Sequence, residues 1–221
     1  MACFLLSSIV YAVDMNTTIE RTKAVQPDYA ILPIFSQRFS PYAFSSKQVN
    51  TEDLRACFEA ARWAMSSYNE QPWRYLIARA ENQEEFDKIV SCLWDANQAW
   101  AKKAPVLALG FYKKSFTQND KPNKAAAHDL GAASAFLTVE ATQRGLYVHQ
   151  MIGVDPDKVR EQFDIPEDFE PHTAMAIGYL GSLEDLQALP DGYADRDRAE
   201  RSRKSQDEIL FSGQFGKAAS L

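Results

Sequence analysis

Three hydroxyls, two amides, a proline and an indole fall within eight positions in Ser66-Ser67-Tyr68-Asn69-Glu70-Gln71-Pro72-Trp73, directly after a segment of helical apolar spacing. A purely structural turn needs fewer polar groups than this. Such a loop can hydrogen-bond the edge of a flat polar ring. Upstream stands a second polar cluster, Arg38-Phe39-Ser40, and downstream a basic run, Arg201-Ser202-Arg203-Lys204. The familiar self-contained catalytic arrangements are missing. His128, His149 and His172 are scattered over different segments, outside any Cys/His or Ser/His/Asp grouping, and read as structural. The chain has nine glycines and no Gly-x-Gly-x-x-Gly after a strand-like run, and no phosphate-cradling P-loop. Chemistry here therefore calls for a cofactor that carries its own reactivity.

The elements that must position these residues are legible from spacing. Asn50 or Thr51 caps a helix with Glu52 and Asp53 in its first turn and Leu54, Cys57, Phe58, Ala61, Ala64 and Met65 as its buried stripe. The polar loop begins where that helix stops. Tyr75 to Ala78 reads as a strand, Phe86, Ile89, Val90, Leu93, Trp94 and Trp100 as one helical stripe, and Pro105 to Tyr112 as a buried strand. The longest helix spans about Asn123 to Arg144 and is stopped by Gly145. Its Leu130, Ser134, Leu137 and Ala141 recur at spacings of 4, 3 and 4, suiting either an ordinary core face or a seam against a partner helix. Leu146 to His149 is a third strand, Asp155-Pro156 opens a helix carrying Val159 and Phe163 inward, and His172 to Tyr179 is a fourth strand. Helices alternating with at least four strands give an α+β or α/β sandwich.

At 221 residues and 46% hydrophobic content, the chain suits one compact domain with a substantial core. We expect an irregular N-terminal segment, residues 1–30, followed by a single domain over 31–221. The net charge of −6 argues against nucleic acid and anionic membrane as partners. Cys3, Cys57 and Cys92 are odd in number, widely spaced and away from histidines, which disfavours a zinc site or disulfide framework and fits a reducing, cytoplasmic setting. Cys57 and Cys92 lie on apolar stripes and read as core. The apolar stretch 1–13 is too short to span a bilayer, which takes ~20 residues, and has no basic residue before Arg21. We expect the native start at Met15 rather than Met1.

With these elements in view, the chain from Ile34 to Gly216 resembles the nitroreductase family of FMN-dependent oxidoreductases in four separated parts. Arg38-Phe39-Ser40-Pro41-Tyr42-Ala43-Phe44 is similar to the family's opening segment, whose arginine and serine contact FMN. In SSYNEQPW, residues Ser66, Ser67 and Asn69 match positions that reach a flavin held mainly by the other subunit. His149-Gln150-Met151-Ile152-Gly153-Val154-Asp155 is similar to the segment whose backbone lies beside the flavin N5. Arg201 to Lys204, before an apolar tail that includes Ile209 to Gly216, resembles the family's phosphate-binding basic pair and C-terminal arm.

The resemblance implies an α+β fold, an α-β-α sandwich with a mainly antiparallel central sheet, a long central helix and a C-terminal arm. It implies a homodimer, FMN as cofactor and NAD(P)H as co-substrate, with ping-pong hydride transfer to a nitroaromatic, quinone or similar small acceptor. No protein residue need act as acid or base. Arg38, Arg201 and Arg203 offer forks for the phosphate, although composition alone makes residues 196–204, with Asp197 and Glu200, a solvated charged run. Arg38 is also placed to face the negative charge that a reduced flavin gathers at N1 and O2. Ile152 or Gly153 offers a backbone N–H to N5, with the glycine permitting close approach, and Asn97 is placed on the pyrimidine edge. The chain departs from the family pattern at Met65, where proline is common, at Ile152, where an acidic residue is common, and at Tyr42, where some members are basic. Dehalogenation, flavin fragmentation and non-catalytic FMN holding remain alternative readings.

Overall fold

A computed structural model describes residue 23 and residues 25–221. Cys3, the apolar stretch 1–13 and the choice between Met1 and Met15 lie outside the described residues. After an irregular stretch come helix α1 (Pro33–Gln37), helix α2 (Thr51–Arg62), strand β1 (Trp73–Arg79), helices α3 (Gln83–Ser91) and α4 (Asp95–Ala101), and strand β2 (Val106–Lys113). Helix α5 (Ala126–Gln143), strand β3 (Tyr147–Met151), helix α6 (Pro156–Phe163) and strand β4 (Phe169–Gly178) follow, and short helices α7 (Leu183–Gln187) and α8 (Tyr193–Arg198) lead into the C-terminal arm.

The strands form one sheet in the order β1-β2-β4-β3, antiparallel at every junction. Successive side chains of a strand point to opposite faces, and both faces are covered. Val106, Ala108, Val148, Met175 and Ile177 enter a core shared with α2 and α5. Leu107, Leu109, Phe111, Ala174 and Ala176 enter a second core with α3, α4 and Val159 of α6. Double coverage explains why β2 reads as an unbroken apolar run. The fold is thus an α+β sandwich with α5 as its long helix, and the antiparallel junctions settle the choice against α/β.

Helix α2 starts as its sequence dictates: the Asn50 side-chain oxygen accepts from the Glu52 N–H at 2.7 Å, and Glu52 and Asp53 occupy the first turn. Asn50→Ala removes that acceptor and is expected to cost about 1 kcal/mol, read as a lower urea midpoint with an unchanged slope.

Three expectations change. Met65 is 62% exposed, because α2 stops at Arg62 and the chain turns away from the core before reaching it. The stripe from Phe86 to Trp100 is two helices: Trp94 has φ −65° and ψ 148° and caps α4. The break is tertiary in origin, since the Trp94 N–H donates to Gly153 O at 3.0 Å and the Asp155 N–H to Cys92 O at 2.8 Å. Residues 92–94 leave the helical path to pair with the chain after β3. On α5, which begins at Ala126 rather than Asn123, Leu130, Ser134, Leu137 and Ala141 are all buried within the single chain. They form a core face against α2 and the sheet rather than a seam. Cys57 and Cys92 are buried as read from the sequence, and burial pushes the Cys57 thiol up to about 12. Among the described residues, no helix is long and apolar enough to cross a membrane.

Candidate functional site

Helix α1 ends where Arg38 turns extended, its N–H donating to Ile34 O at 3.0 Å, and this turn delivers three consecutive residues to different tasks. Phe39 is buried, its ring edge-on to Tyr147 at 5.0 Å. Ser40 is exposed, and its Oγ lies 3.5 Å from Arg38 Nη1. Arg38 itself faces the chain that follows α8. Arg201 Nη1 donates to the carbonyl oxygens of Ser36 and Lys23, which ties the basic run onto the α1 segment. Arg203 Nη1 donates to Ser202 O at 2.6 Å.

Arg38, Arg201 and Arg203 therefore sit within electrostatic range of one another. Burial and then the Arg203 charge hold the Arg38 guanidinium below its ordinary range. Arg201 is lowered by burial, then by Arg38 and Arg203. Among the described residues no carboxylate forms an ion pair with any of the three. Beside them opens a cavity of about 450 Å³ lined by Tyr29, Phe35, Arg201, Arg203 and Lys204, among others. Three mutually repelling forks are destabilising alone, and a phosphate dianion relieves exactly that repulsion while matching their planar donors. The donor set fits a phosphate-bearing group.

A second group forms at the end of β3. Gly153 O accepts from the Trp94 N–H at 3.0 Å and from Asn97 Nδ2 at 3.1 Å. A Cβ on Gly153 would lie 2.4 Å from Asn97 Nδ2 and 3.2 Å from the Trp94 ring, so a side chain there would displace the Asn97 amide and press on the indole. Ile152 beside it is 64% exposed and Trp94 59%. One amide hydrogen of Asn97 is committed to the backbone, leaving its Oδ1 and second N–H for the ring edge expected of it.

The third group is the loop after α2. Ser66 Oγ accepts from the Gln71 N–H at 3.0 Å, and Asn69 Oδ1 from Gln71 Nε2 at 3.1 Å. The Ser67 N–H donates to Asp129 Oδ2 at 3.1 Å. Tyr68, Asn69 and Gln71 have φ of 53°, 55° and 51°, a left-handed conformation that costs a side-chain-bearing residue roughly 1–2 kcal/mol. Strain of this kind concentrates where geometry serves a ligand. Among the described residues no hydrogen bond or ion pair joins this loop to the arginines or to Gly153 within one chain.

Between the first two groups lies an aromatic cluster. His149 Nδ1 is 2.9 Å from Pro41 O, with its ring 4.3 Å from Trp100 and 4.7 Å from Tyr42. Burial lowers the His149 pKa below 6.5, against smaller raising effects from the Pro41 carbonyl and Asp197. Below pH 6.5 the unfolded chain therefore binds a proton here that the folded chain refuses, and stability falls as pH drops toward the folded value. His149→Phe is expected to flatten that decline by up to about 1.4 kcal/mol per pH unit, in urea unfolding between about pH 7 and 5, while lowering stability at neutral pH through loss of the Pro41 bond. His172 packs against Tyr112 at 5.3 Å and His128 is exposed.

Asp129 is the site residue that sequence reading passed over. An acid in a helix's first turn ordinarily signals only the helix dipole, and nothing local marks this one as buried.

Comparison with known proteins bears on this geometry. The family model of the "Nitroreductase family" matches residues 35–179. A 15.4 kDa uncharacterized protein from Mycolicibacterium smegmatis is 34% identical over 99 residues, covering 45% of this chain and 65% of that one, so the chain spans just under two thirds of that relative. The major NAD(P)H-flavin oxidoreductase of Aliivibrio fischeri is 26% identical over 216 residues, covering 79% of this chain and 92% of its own. Among solved structures, an oxidoreductase containing FMN superposes with TM-score 0.80 at 32% identity, covering 88% of this chain and 97% of that one. A nitroreductase family protein from Clostridium difficile 630 superposes with TM-score 0.63 at 21% identity, over 82% and 97% of the two chains, a likeness of fold.

Proposed function

This chain belongs to the nitroreductase family, and from that premise we propose that it is an FMN-dependent oxidoreductase taking hydride from NAD(P)H and passing it to nitroaromatic, quinone or similar small acceptors by a ping-pong mechanism. The observation that carries the reading is the trio Arg38, Arg201 and Arg203, which lie within electrostatic range of one another and beside the Arg201–Lys204 cavity, with no carboxylate ion pair among the described residues. In this reading Arg38 and Arg203 hold the FMN phosphate, and Arg201, already tied to Ser36, sets the angle at which the basic run approaches.

When bound, FMN supplies the hydride-accepting and hydride-donating chemistry. The chain's own residues bind and orient. Gly153, whose missing Cβ leaves room for Asn97 and Trp94, would let the backbone at Ile152 and Gly153 approach a bound flavin closely, and a backbone N–H there would serve as donor to N5. Asn97 offers its remaining amide groups to the pyrimidine edge. The exposed Ile152 and Trp94 side chains present an apolar surface that suits a flat, uncharged acceptor. No side chain is assigned as general acid or base.

Among the described residues the Ser66 to Asn69 loop shares no hydrogen bond or ion pair with the other two groups, which fits a homodimer in which Ser66, Ser67 and Asn69 complete the partner's flavin site. We place the enzyme in the cytoplasm, acting through residues 31–221 as one domain, on small molecules rather than nucleic acid or membrane.

The test is a visible absorption spectrum of the purified protein before and after anaerobic NADH or NADPH, with the released cofactor identified. A yellow protein that carries FMN and bleaches is the expected result. A protein that stays colourless with FMN added overturns the reading; one that binds FMN but is not bleached reduces it to flavin holding.

A further inference from the structure

Asp129 is only 3% exposed on the first turn of α5, and its side chain makes a hydrogen bond that reaches across the fold. Its Oδ2 accepts from the backbone N–H of Ser67, 3.1 Å away, at the mouth of the turn in which Tyr68, Asn69 and Gln71 are left-handed. Within the turn, Ser66 Oγ accepts from the Gln71 N–H and Gln71 Nε2 donates to Asn69, and from outside Glu70 Oε1 accepts from the Thr117 N–H and hydroxyl while Tyr68 packs edge-on to Phe116, both in the loop after β2. Those contacts tie the far side of the turn to another loop and leave its start to be placed. Asp129 supplies a bond to a regular element, and that element is the central helix, whose neighbouring residues Ala126, Leu130, Ala133 and Ser134 are buried.

From this juxtaposition we infer that Asp129 is a positioning residue for the flavin site: it locks the start of the Ser66 to Gln71 turn to α5 so that Ser66, Ser67 and Asn69 are presented in one orientation. The inference rests on the reading above that this turn contacts the flavin. The physical argument is that a strained turn persists only where its surroundings over-determine it. The function required of Asp129 is acceptance rather than charge, so the isosteric amide should substitute.

The experiment compares Asp129→Asn, which keeps an acceptor oxygen, with Asp129→Leu, which removes it, in the full chain. Asp129→Ser, too short to reach the Ser67 N–H directly, replaces the leucine variant if that one fails to fold. Amide hydrogen exchange over residues 66–71 in cofactor-free protein reads the turn itself, and FMN fluorescence titration reads its consequence. We expect the leucine variant to lose exchange protection at Ser67 at least tenfold and to bind FMN about tenfold more weakly, and the asparagine variant to stay within about threefold of wild type on both. Unchanged protection in the leucine variant, or an asparagine variant as impaired as leucine, overturns the inference. Lost protection with unchanged FMN affinity also overturns it, and Asn69→Ala then separates the causes. If Asn69→Ala weakens FMN, the turn contacts flavin and only the role of Asp129 fails; if it does not, the assignment of the turn to the flavin site fails as well.

Discussion

Arg203→Ala is expected to weaken FMN retention by about 2–5 kcal/mol, and Arg38→Ala by a similar amount, because each truncation leaves a phosphate with an unmatched charge in a partly enclosed site. Arg203→Ala and Arg201→Ala should part company in the cofactor-free protein. Arg203 bonds only its neighbour's carbonyl and is exposed, so its removal relieves repulsion on Arg38 and Arg201 and leaves thermal stability equal or slightly higher. Arg201→Ala must behave differently, since its guanidinium bonds the Ser36 and Lys23 carbonyls. It should destabilise the protein even without FMN. Equilibrium dialysis for retention, paired with thermal melts with and without FMN, checks both. Unchanged FMN affinity in both Arg38→Ala and Arg203→Ala would reject those two as the phosphate site.

Gly153→Ala is expected to be the most damaging single-methyl change near the ring. The added carbon would sit 2.4 Å from Asn97 Nδ2 and 3.2 to 3.3 Å from the Trp94 ring. Asn97 must swing away, which breaks its bond to Gly153 O, and the indole or the backbone must shift. Overpacking of this kind costs about 1–3 kcal/mol, and its displacement falls on the segment proposed to meet N5. The expected outcome is a lower melting temperature together with FMN binding weaker by an order of magnitude or more, a loss corresponding to about 1.4 kcal/mol per tenfold. Asn97→Ala with Gly153→Ala provides the control. Removing the clashing amide should recover part of the stability, though not the ring-edge contact. If the double variant is no more stable than Gly153→Ala alone, Asn97 is not the source of the clash.

Both predictions depend on groupings of unequal legibility. The Asn50 cap, the β2 and β4 core runs and the helix start at Asp155-Pro156 could be read from residue types alone, since the groups that decide them are a few positions apart: Asp155 accepts from the Asp157 and Lys158 N–H groups. Trp94 could not. Its helical spacing is genuine, but two backbone bonds to residues about 60 positions away pull residues 92–94 out of the helix. The face of α5 was legible as apolar without being assignable, because the same 4, 3, 4 spacing serves a sheet or a partner helix. The covering of that face by α2 and the sheet decided it.

The sequence by itself determined most of the elements, the polar loop after α2 and the order of basic and glycine-bearing segments that marks the family, because these rest on short-range spacing and residue chemistry. Tertiary structure alone decided the rest. It brought Arg38 within electrostatic reach of Arg201 and Arg203 across more than 160 residues, seated Gly153 against Asn97, and turned Asp129 from a first-turn acid into the anchor of the Ser67 amide. Each of those relations is a through-space contact between distant segments, and neither side carries local information about the other until the sheet has closed between them.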